Sequence, residues 1–209
     1  MTGRIIVGDA CVAEGAAWLA EREPRFAMAL TETGPLPLRR KPDGFAELVS
    51  AIVSQQVSVA SANAIYARVV EAGLTRPEAV RAATEDALRA CGLSRPKMRY
   101  LRALAEADID YAALRVAPTD QVIATLTGVT GIGVWTAEIY AMFSLGRADV
   151  FAPGDLALQE AARVLFDLPD RPKPAAFRAM AEEWAPWRSV AARILWSYYH
   201  VVKVREGVR

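Results

Sequence analysis

Histidine and cysteine are almost absent from this chain of 209 residues. Cys11 and Cys91 are its two cysteines, too few for a disulfide framework, a zinc site made of thiolates or a four-cysteine iron–sulfur cluster. His200 is the one histidine, which argues against a serine–histidine pair and against a histidine-rich metal site. Any catalysis must therefore rest on carboxylates, amides or lysines.

Long apolar runs and a strong excess of charge are also missing. No apolar stretch is long enough to span a bilayer, and the first residues lack the order of a signal peptide, so we expect a cytoplasmic protein without a membrane partner. Lysine and arginine number 25 against 24 acidic residues, a net charge of +1. Basic residues cluster at 39–41 and at Arg95, Lys97 and Arg99, where we expect a solvated helix face or loop.

Helical patterns dominate what is present. Apolar residues within 45–53 recur at the spacing of one helix face, whereas residues 4–7 are the only β-like run and are too isolated to build a sheet. The proline-rich residues 34–38 are typical of a linker. The sequence predicts an all-α fold. Capping and periodicity place its later helices at about 134–145, 156–166, 174–184 and 188–203.

The segment LTGVTGIGVWTA, residues 126–137, interrupts two predicted helices with three glycines. Such a run has low helix propensity, so it predicts a tight αα-hairpin whose second helix begins at the last glycine. The backbone amides at that helix start suit a phosphate oxygen, which they would bind without reading base sequence. An ordinary glycine-rich loop between helices is the alternative.

A second segment, DVFAPGD at residues 149–155, follows the hairpin. Together the two segments resemble the helix–hairpin–helix DNA glycosylase superfamily that includes endonuclease III and DNA-3-methyladenine glycosylase II. The resemblance covers residues 45–201. It favours the DNA-3-methyladenine glycosylase II-like, alkylation-repair branch, because 52–58 and 187–196 look like that branch's groove-entering segment and C-terminal helix.

The resemblance implies a two-lobed helical bundle with the active-site cleft between the lobes. One lobe would comprise about 45–150 and contain the hairpin, and the second would comprise about 1–44 plus 151–209. Too few residues precede position 45 for the β-rich N-terminal domain of the best-known bacterial enzyme, so we expect that domain to be missing.

The resemblance assigns the catalytic role to Asp155. Breaking an N-glycosidic bond builds positive charge on the sugar, which a nearby carboxylate would stabilise. The same carboxylate could orient or deprotonate the attacking water. An aspartate just before a helix that begins at residue 156 also fits a second role, that of an N-cap.

Strand cleavage by relatives depends on a lysine in the second helix of the hairpin, which forms a Schiff base with the sugar. Trp135 stands at that position here and cannot form an imine. The resemblance therefore implies a monofunctional glycosylase that leaves an abasic site.

A pocket of aromatic faces would hold a flipped, positively charged alkylpurine such as 3-methyladenine by stacking and cation–π attraction. The resemblance matches Trp196 to a pocket residue, and Trp135 and Tyr140 are further candidates, although Ile139 stands where the branch can place a tyrosine. Trp184, Trp187 and Tyr198 are additional candidates. For every one of these aromatics, packing in the core is the alternative.

Contacts with double-stranded DNA are also implied by the resemblance. Gln56 matches the residue that fills the gap left by the flipped nucleotide, and Gln55 would tie the turn together, with a polar helix end as the alternative for the pair. The hairpin would contribute Gly131, Gly133 and Thr136.

No cofactor is required by this chemistry, and no iron–sulfur cluster is expected. Many relatives hold Na⁺ or K⁺ on hairpin carbonyls, which correspond here to the backbone oxygens of Thr127, Val129 and Ile132. A monomer associated with the nucleoid is the default expectation.

Two alternatives to the alkylpurine function stay open. The chain could be a glycosylase for another lesion, such as uracil or an oxidised or mispaired purine. It could also be a non-catalytic helix–hairpin–helix module that only binds DNA.

Overall fold

The computed structural model describes residues 2–205 and residue 207. Within these residues the chain forms thirteen α-helices and one 3-10 helix, with no β-strand. Residues 4–7 contribute an isolated antiparallel bridge between Ile5 and Arg147. The predicted all-α fold class is therefore confirmed.

The helices of the described residues follow one another along the chain as α1 (Asp9–Arg22), α2 (Pro24–Thr33), α3 (Phe45–Ser54), α4 (Val59–Glu71), α5 (Pro77–Ala82), α6 (Glu85–Ala90), α7 (Arg95–Glu106), α8 (Tyr111–Val116), α9 (Thr119–Thr127), α10 (Val134–Phe143), α11 (Leu156–Leu165), α12 (Pro174–Met180) and α13 (Arg188–Arg205). The 3-10 helix Ala181–Trp184 lies between α12 and α13. None of these helices is both long enough and apolar enough to cross a membrane.

Local residue chemistry explains where several helices begin and end. Ser58 and Asp155 precede α4 and α11, and each side chain accepts hydrogen bonds from backbone N–H groups of the first turn. The helix predicted over 174–184 tightens into 3-10 geometry for its last turn and stops at Ala185. The following Pro186 disfavours helical backbone at that residue.

The chain divides into two compact units, one formed by Lys41–Tyr140 and the other by Thr2–Arg40 together with Ala141–Arg209. Residues 141–150, which the sequence assigned to the first lobe, group with the second unit. Backbone hydrogen bonds explain the difference, because Ala148 N donates to Arg4 O at 3.0 Å and Ile6 N donates to Gly146 O at 2.7 Å.

The core of the Lys41–Tyr140 unit forms where α3 packs against α4 and α7. The buried face of α3 carries the apolar residues whose spacing predicted that helix. Lys97 on α7 is only 8% exposed, whereas Arg95 and Arg99 on the same helix are exposed. The expectation of a solvated basic cluster is therefore wrong for Lys97.

The core of the second unit centres on α13, which packs against α1, α2 and α11. Trp184 lies beside this helix among four phenylalanine rings, with centroid distances of 5.2 to 6.1 Å. Trp187 and Tyr198 are also buried. For Trp184, the structure favours core packing over the pocket role that the sequence left open.

Gly15 allows the close approach of α1 to the start of α13. A Cβ atom at this position would lie 2.6 Å from Cε3 of Trp187 and 2.8 Å from Cγ2 of Val190, both in the same unit. Because neither partner sits at the end of a flexible chain, only glycine fits here without displacing the helix.

We expect Gly15→Ala to lower the free energy of unfolding by about 1–3 kcal/mol, because the steric overlap outweighs the higher helix propensity of alanine. The measurement is urea denaturation followed by circular dichroism. Gly8→Ala is the control, since Gly8 has an extended φ of −166° and a Cβ atom there would have no heavy atom within 4 Å. Equal losses for the two variants would contradict the packing argument.

Candidate functional site

The glycine-rich segment forms a hairpin between α9 and α10, as its sequence predicted. Val129 N donates to Leu126 O at 3.1 Å, and Ile132 N donates to Val129 O at 3.0 Å. Gly131 closes the turn with a φ of 97°, a conformation that side chains with a Cβ rarely adopt. The buried side chains of Val129 and Ile132 anchor the hairpin to the core of its unit.

The start of α10 presents backbone amides next to exposed residues. Gly133 O accepts from Ala137 N at 3.0 Å, so the helix begins at this glycine. Gly133 and Val134 are exposed, and Trp135 is 46% exposed. The first amides of a helix lack intrahelical acceptors and carry partial positive charge, so this end suits an anion. Thr136 is buried, with 7% of its surface exposed, so its predicted contact with DNA stays a prediction.

Gln55 and Gln56 follow the C-terminal end of α3 in the same unit. The Nε2 of Gln55 donates to Gly131 O at 2.9 Å, so the structure brings Gln55 and the hairpin together. Gln56 is exposed at the tip of the loop and has a φ of 56°. A left-handed backbone in a residue other than glycine costs energy and often marks a functional position.

Tyr140 is buried in the Lys41–Tyr140 unit, with 3% of its surface exposed. Its hydroxyl accepts a hydrogen bond from Gly44 N at 2.7 Å. Burial raises the pKa of Tyr140 to about 12, with the charge of Asp43 adding to the shift. These contacts give Tyr140 a packing role, and its place in a base pocket, like that of Trp135, stays a prediction.

Asp155 belongs to the second unit, where it is the N-cap of α11. Its Oδ1 accepts hydrogen bonds from Ala157 N at 2.9 Å and Leu158 N at 3.0 Å. Trp196 Nε1 donates to the same oxygen at 3.2 Å, so the structure brings Asp155 and Trp196 together. Three donors and the positive end of the helix hold this carboxylate in one orientation.

Two residues that the sequence did not single out support Trp196 from within the same unit. The Phe143 ring lies 5.6 Å from the Trp196 ring, with a tilt of 35° between the planes. Arg193, which is almost fully buried, places its guanidinium 4.9 Å from the Phe143 ring centroid and donates to Leu38 O. Burial lowers the pKa of Arg193 to about 10, and the charges of Arg39 and Arg40 add to this. Because 143 and 193 fit ordinary core spacing, no sequence signal marks them.

The proposed cation position is the hairpin turn itself. Val129 O already accepts from Ile132 N, but a carbonyl oxygen has a second lone pair for an ion. Thr127 Oγ1 donates to Ile123 O at 2.8 Å, so its hydroxyl is committed to α9. Among the residues that the structure describes, no cluster of three or more histidine, cysteine or acidic side chains could hold a metal. Backbone carbonyls would be the donors for any ion here.

A sequence profile described as "HhH-GPD superfamily base excision DNA repair protein" matches residues 49–186, a span that includes the hairpin and Asp155. The chain belongs to the HhH-GPD superfamily.

Relatives and solved structures of this superfamily agree with the assignment. DNA-3-methyladenine glycosylase 1 of Schizosaccharomyces pombe is 34% identical over 201 residues, covering 91% of this chain and 88% of the relative. A DNA-3-methyladenine glycosidase structure from Bacillus halodurans has a TM-score of 0.81 at 35% identity, with 89% of each chain covered. The Schizosaccharomyces pombe 3-methyladenine DNA glycosylase in complex with abasic DNA has a TM-score of 0.76 at 31% identity, with 88% of this chain and 95% of that chain covered.

These similarities confirm the resemblance that the hairpin and DVFAPGD predicted, including the alkylation-repair branch. The individual site residues of this HhH-GPD protein stay predictions. The hairpin, Gln55 and Gln56 lie in one unit, and Asp155 and Trp196 lie in the other.

Gly131 and Gly133 of the hairpin in this HhH-GPD protein should respond differently to alanine. A Cβ at Gly131 would lie 2.3 Å from Cγ of Tyr100 and would require an unfavourable positive φ, so Gly131→Ala should cost about 2 kcal/mol or more of folding stability. Gly133 has no atom within 4 Å of that position, so Gly133→Ala should cost less than about 1 kcal/mol. Urea denaturation measures both, and a Gly133 variant that loses as much as the Gly131 variant would refute the difference.

Proposed function

We propose that this protein is a monofunctional DNA glycosylase of base excision repair. It hydrolyses the N-glycosidic bond of flipped alkylated purines such as 3-methyladenine in duplex DNA and leaves an abasic site. The observation that carries the proposal is the Asp155 carboxylate, held by three donors at the start of α11 in an HhH-GPD chain. The names of the similar proteins support glycosylase activity on methylated adenine.

The chemical step needs an anion and a water molecule. As the bond from sugar C1′ to the base nitrogen breaks, positive charge develops on C1′ and the ring oxygen. The carboxylate of Asp155 would stabilise that charge and orient a water molecule, whose oxygen forms the new bond to C1′ while its proton passes to the carboxylate or to solvent. An alkylated purine that is already cationic leaves as a neutral base, so no strong general acid is needed.

Duplex DNA would be held by the Lys41–Tyr140 unit. The amides that begin at Gly133 and continue through Thr136 would bind a backbone phosphate, and Gly131 lets the turn come close to it. Gln56, exposed at the tip of its loop, would fill the gap left by the flipped nucleotide. Val57 and Val59 beside it are exposed apolar residues that suit contact with base or sugar edges.

The flipped base would stack on aromatic rings. Trp196 is the main candidate, because its indole N–H holds Asp155 and its ring is supported by Phe143. Trp135 and Tyr140, which belong to the Lys41–Tyr140 unit, are separate candidates for contact with the base. Aromatic faces attract a cationic base more than a neutral one, which favours alkylated purines.

A monovalent cation is proposed for the hairpin as an aid to phosphate binding and not as a cofactor of the reaction. The backbone oxygens of Thr127, Val129 and Ile132 would hold Na⁺ or K⁺, whose charge would attract the DNA phosphate. We further propose that the protein acts as a monomer at the nucleoid in the cytoplasm, because a single enclosed lesion site needs no second copy.

Base release from methylated duplex DNA tests the function. Wild-type protein should free 3-methyladenine, identified by chromatography. Asp155→Asn should lower the release rate at least about 100-fold because the negative charge is lost, while duplex affinity and folding stability stay close to wild type because asparagine caps a helix equally well. Asp170→Asn, the same chemical change at an exposed residue, is the control and should leave the rate unchanged.

Two other outcomes would replace the proposal. Release of uracil or an oxidised purine without any methylpurine would establish a different lesion specificity. Tight binding to abasic-site duplex with no base released from any damaged DNA would establish a non-catalytic binding module.

Borohydride trapping tests the absence of strand cleavage. Trp135 stands where a Schiff-base lysine would be, and the buried Lys97 has its Nζ committed to Val53 O at 2.6 Å. We therefore expect no covalent protein–DNA adduct with an abasic-site duplex and borohydride, and no strand cut without it. A bifunctional glycosylase serves as the positive control, and a trapped adduct of this protein would overturn the monofunctional assignment.

A further inference from the structure

Lys97 is a buried residue of α7 whose ammonium group contacts the C-terminal end of α3. Its Nζ donates to Val53 O at 2.6 Å, one of the last carbonyls of α3, where the helix itself offers no further N–H donors. Burial lowers the pKa of Lys97, so the surroundings disfavour its charge. The negative end of α3 compensates for part of that cost, because a cation at a helix C-terminus is stabilised by the helix dipole.

The carbonyl that Lys97 holds lies immediately before the loop of Gln55 and Gln56. Ile52 O accepts from Gln55 N at 3.3 Å, and Val53 O accepts from Lys97, so both carbonyls at the helix end have donors. The chain then turns sharply through the left-handed φ of Gln56. Any shift of Val53 would be passed directly to the tip of the loop.

Helix α7, which carries Lys97, also contacts the hairpin. Tyr100 lies one turn after Lys97 on α7, and its ring packs so closely on Gly131 that a Cβ there would be 2.3 Å from Tyr100 Cγ. Gln55 Nε2 closes the arrangement by donating to Gly131 O. The end of α3, the hairpin and α7 are thus linked in a closed ring of contacts within one unit.

We propose that Lys97 is a positioning residue for Gln56: by holding the Val53 carbonyl, it fixes the loop that enters the duplex relative to the hairpin that binds the phosphate. This inference rests on the proposed function, because it assigns Gln56 the gap-filling role. It goes beyond that function because Lys97 is not proposed to contact DNA or the base. Helix α7 would instead fix the Gln56 loop and the hairpin relative to each other.

The test is a double-mutant cycle in single-turnover base release from methylated duplex DNA. Lys97→Met should lower the rate about tenfold, and Gln56→Ala should lower it as well. In the Gln56→Ala background, Lys97→Met should have less than about a twofold further effect, because the residue that Lys97 positions is no longer there. Release from single-stranded methylated DNA, which has no gap to fill, should change less than about threefold.

Arg102→Met is the matched control. Arg102 also lies on α7 and donates to a carbonyl at a helix end, Ala83 O at 2.9 Å after α5, but its bond does not involve the loop of Gln56. Its loss should lower folding stability, measured by urea denaturation, while duplex base release stays within about twofold of wild type. Lys97→Arg is a second variant in case Lys97→Met does not fold. Its guanidinium donates from a different position than the ammonium group and would displace the Val53 carbonyl, so its loss of duplex rate should also disappear in the Gln56→Ala background.

The outcomes separate the two claims. No base release by wild-type protein would refute the proposed function. Release by wild type with an unchanged rate for Lys97→Met on duplex DNA would refute the positioning role alone. Equal losses for a Lys97 variant, Met or Arg, with and without Gln56, or equal losses on single-stranded and duplex DNA, would reduce Lys97 to a purely structural residue and overturn the proposal.

Discussion

The hydrogen bonds to Oδ1 of Asp155 are the interaction on which the proposed chemistry of this protein depends. Two come from the amides that begin α11, and the third comes from the indole of Trp196 on α13. The first two fix where a helix begins, and the third ties that start to α13, a largely buried helix of the same unit. In the proposed reaction, a carboxylate held by these hydrogen bonds would meet the developing positive charge with little reorganisation.

A different constraint organises the Lys41–Tyr140 unit. Gly131 must be a glycine both because of its φ and because Tyr100 packs against it, and its carbonyl accepts from Gln55. Gly131 therefore permits the turn, leaves room for Tyr100 of α7 and accepts the hydrogen bond from Gln55. The positive φ of Gln56 follows directly after Gln55, whose side chain is held by the Gly131 carbonyl.

Sequence reasoning identified features whose causes are local. The all-α class, the hairpin and the capping position of Asp155 follow from residues close together in the chain. The pairing of Trp196 with Asp155 joins residues that are far apart in sequence, so spacing alone could not predict it. The sequence assigned Lys97 to a solvated cluster because its hydrogen-bond partner, Val53 O, is also distant in sequence. The carbonyl that makes its burial favourable belongs to another helix.

In the proposed function, Trp196 would link recognition of the base to the chemistry at the sugar. Its N–H edge is committed to the carboxylate of Asp155, and its ring is supported by Phe143, which in turn lies under the buried guanidinium of Arg193. A base that stacks on this ring would therefore contact the same side chain that donates a hydrogen bond to Asp155. Because a single side chain would serve both purposes, binding of the base and alignment of the Asp155 carboxylate would become one event, which would favour catalysis over binding alone.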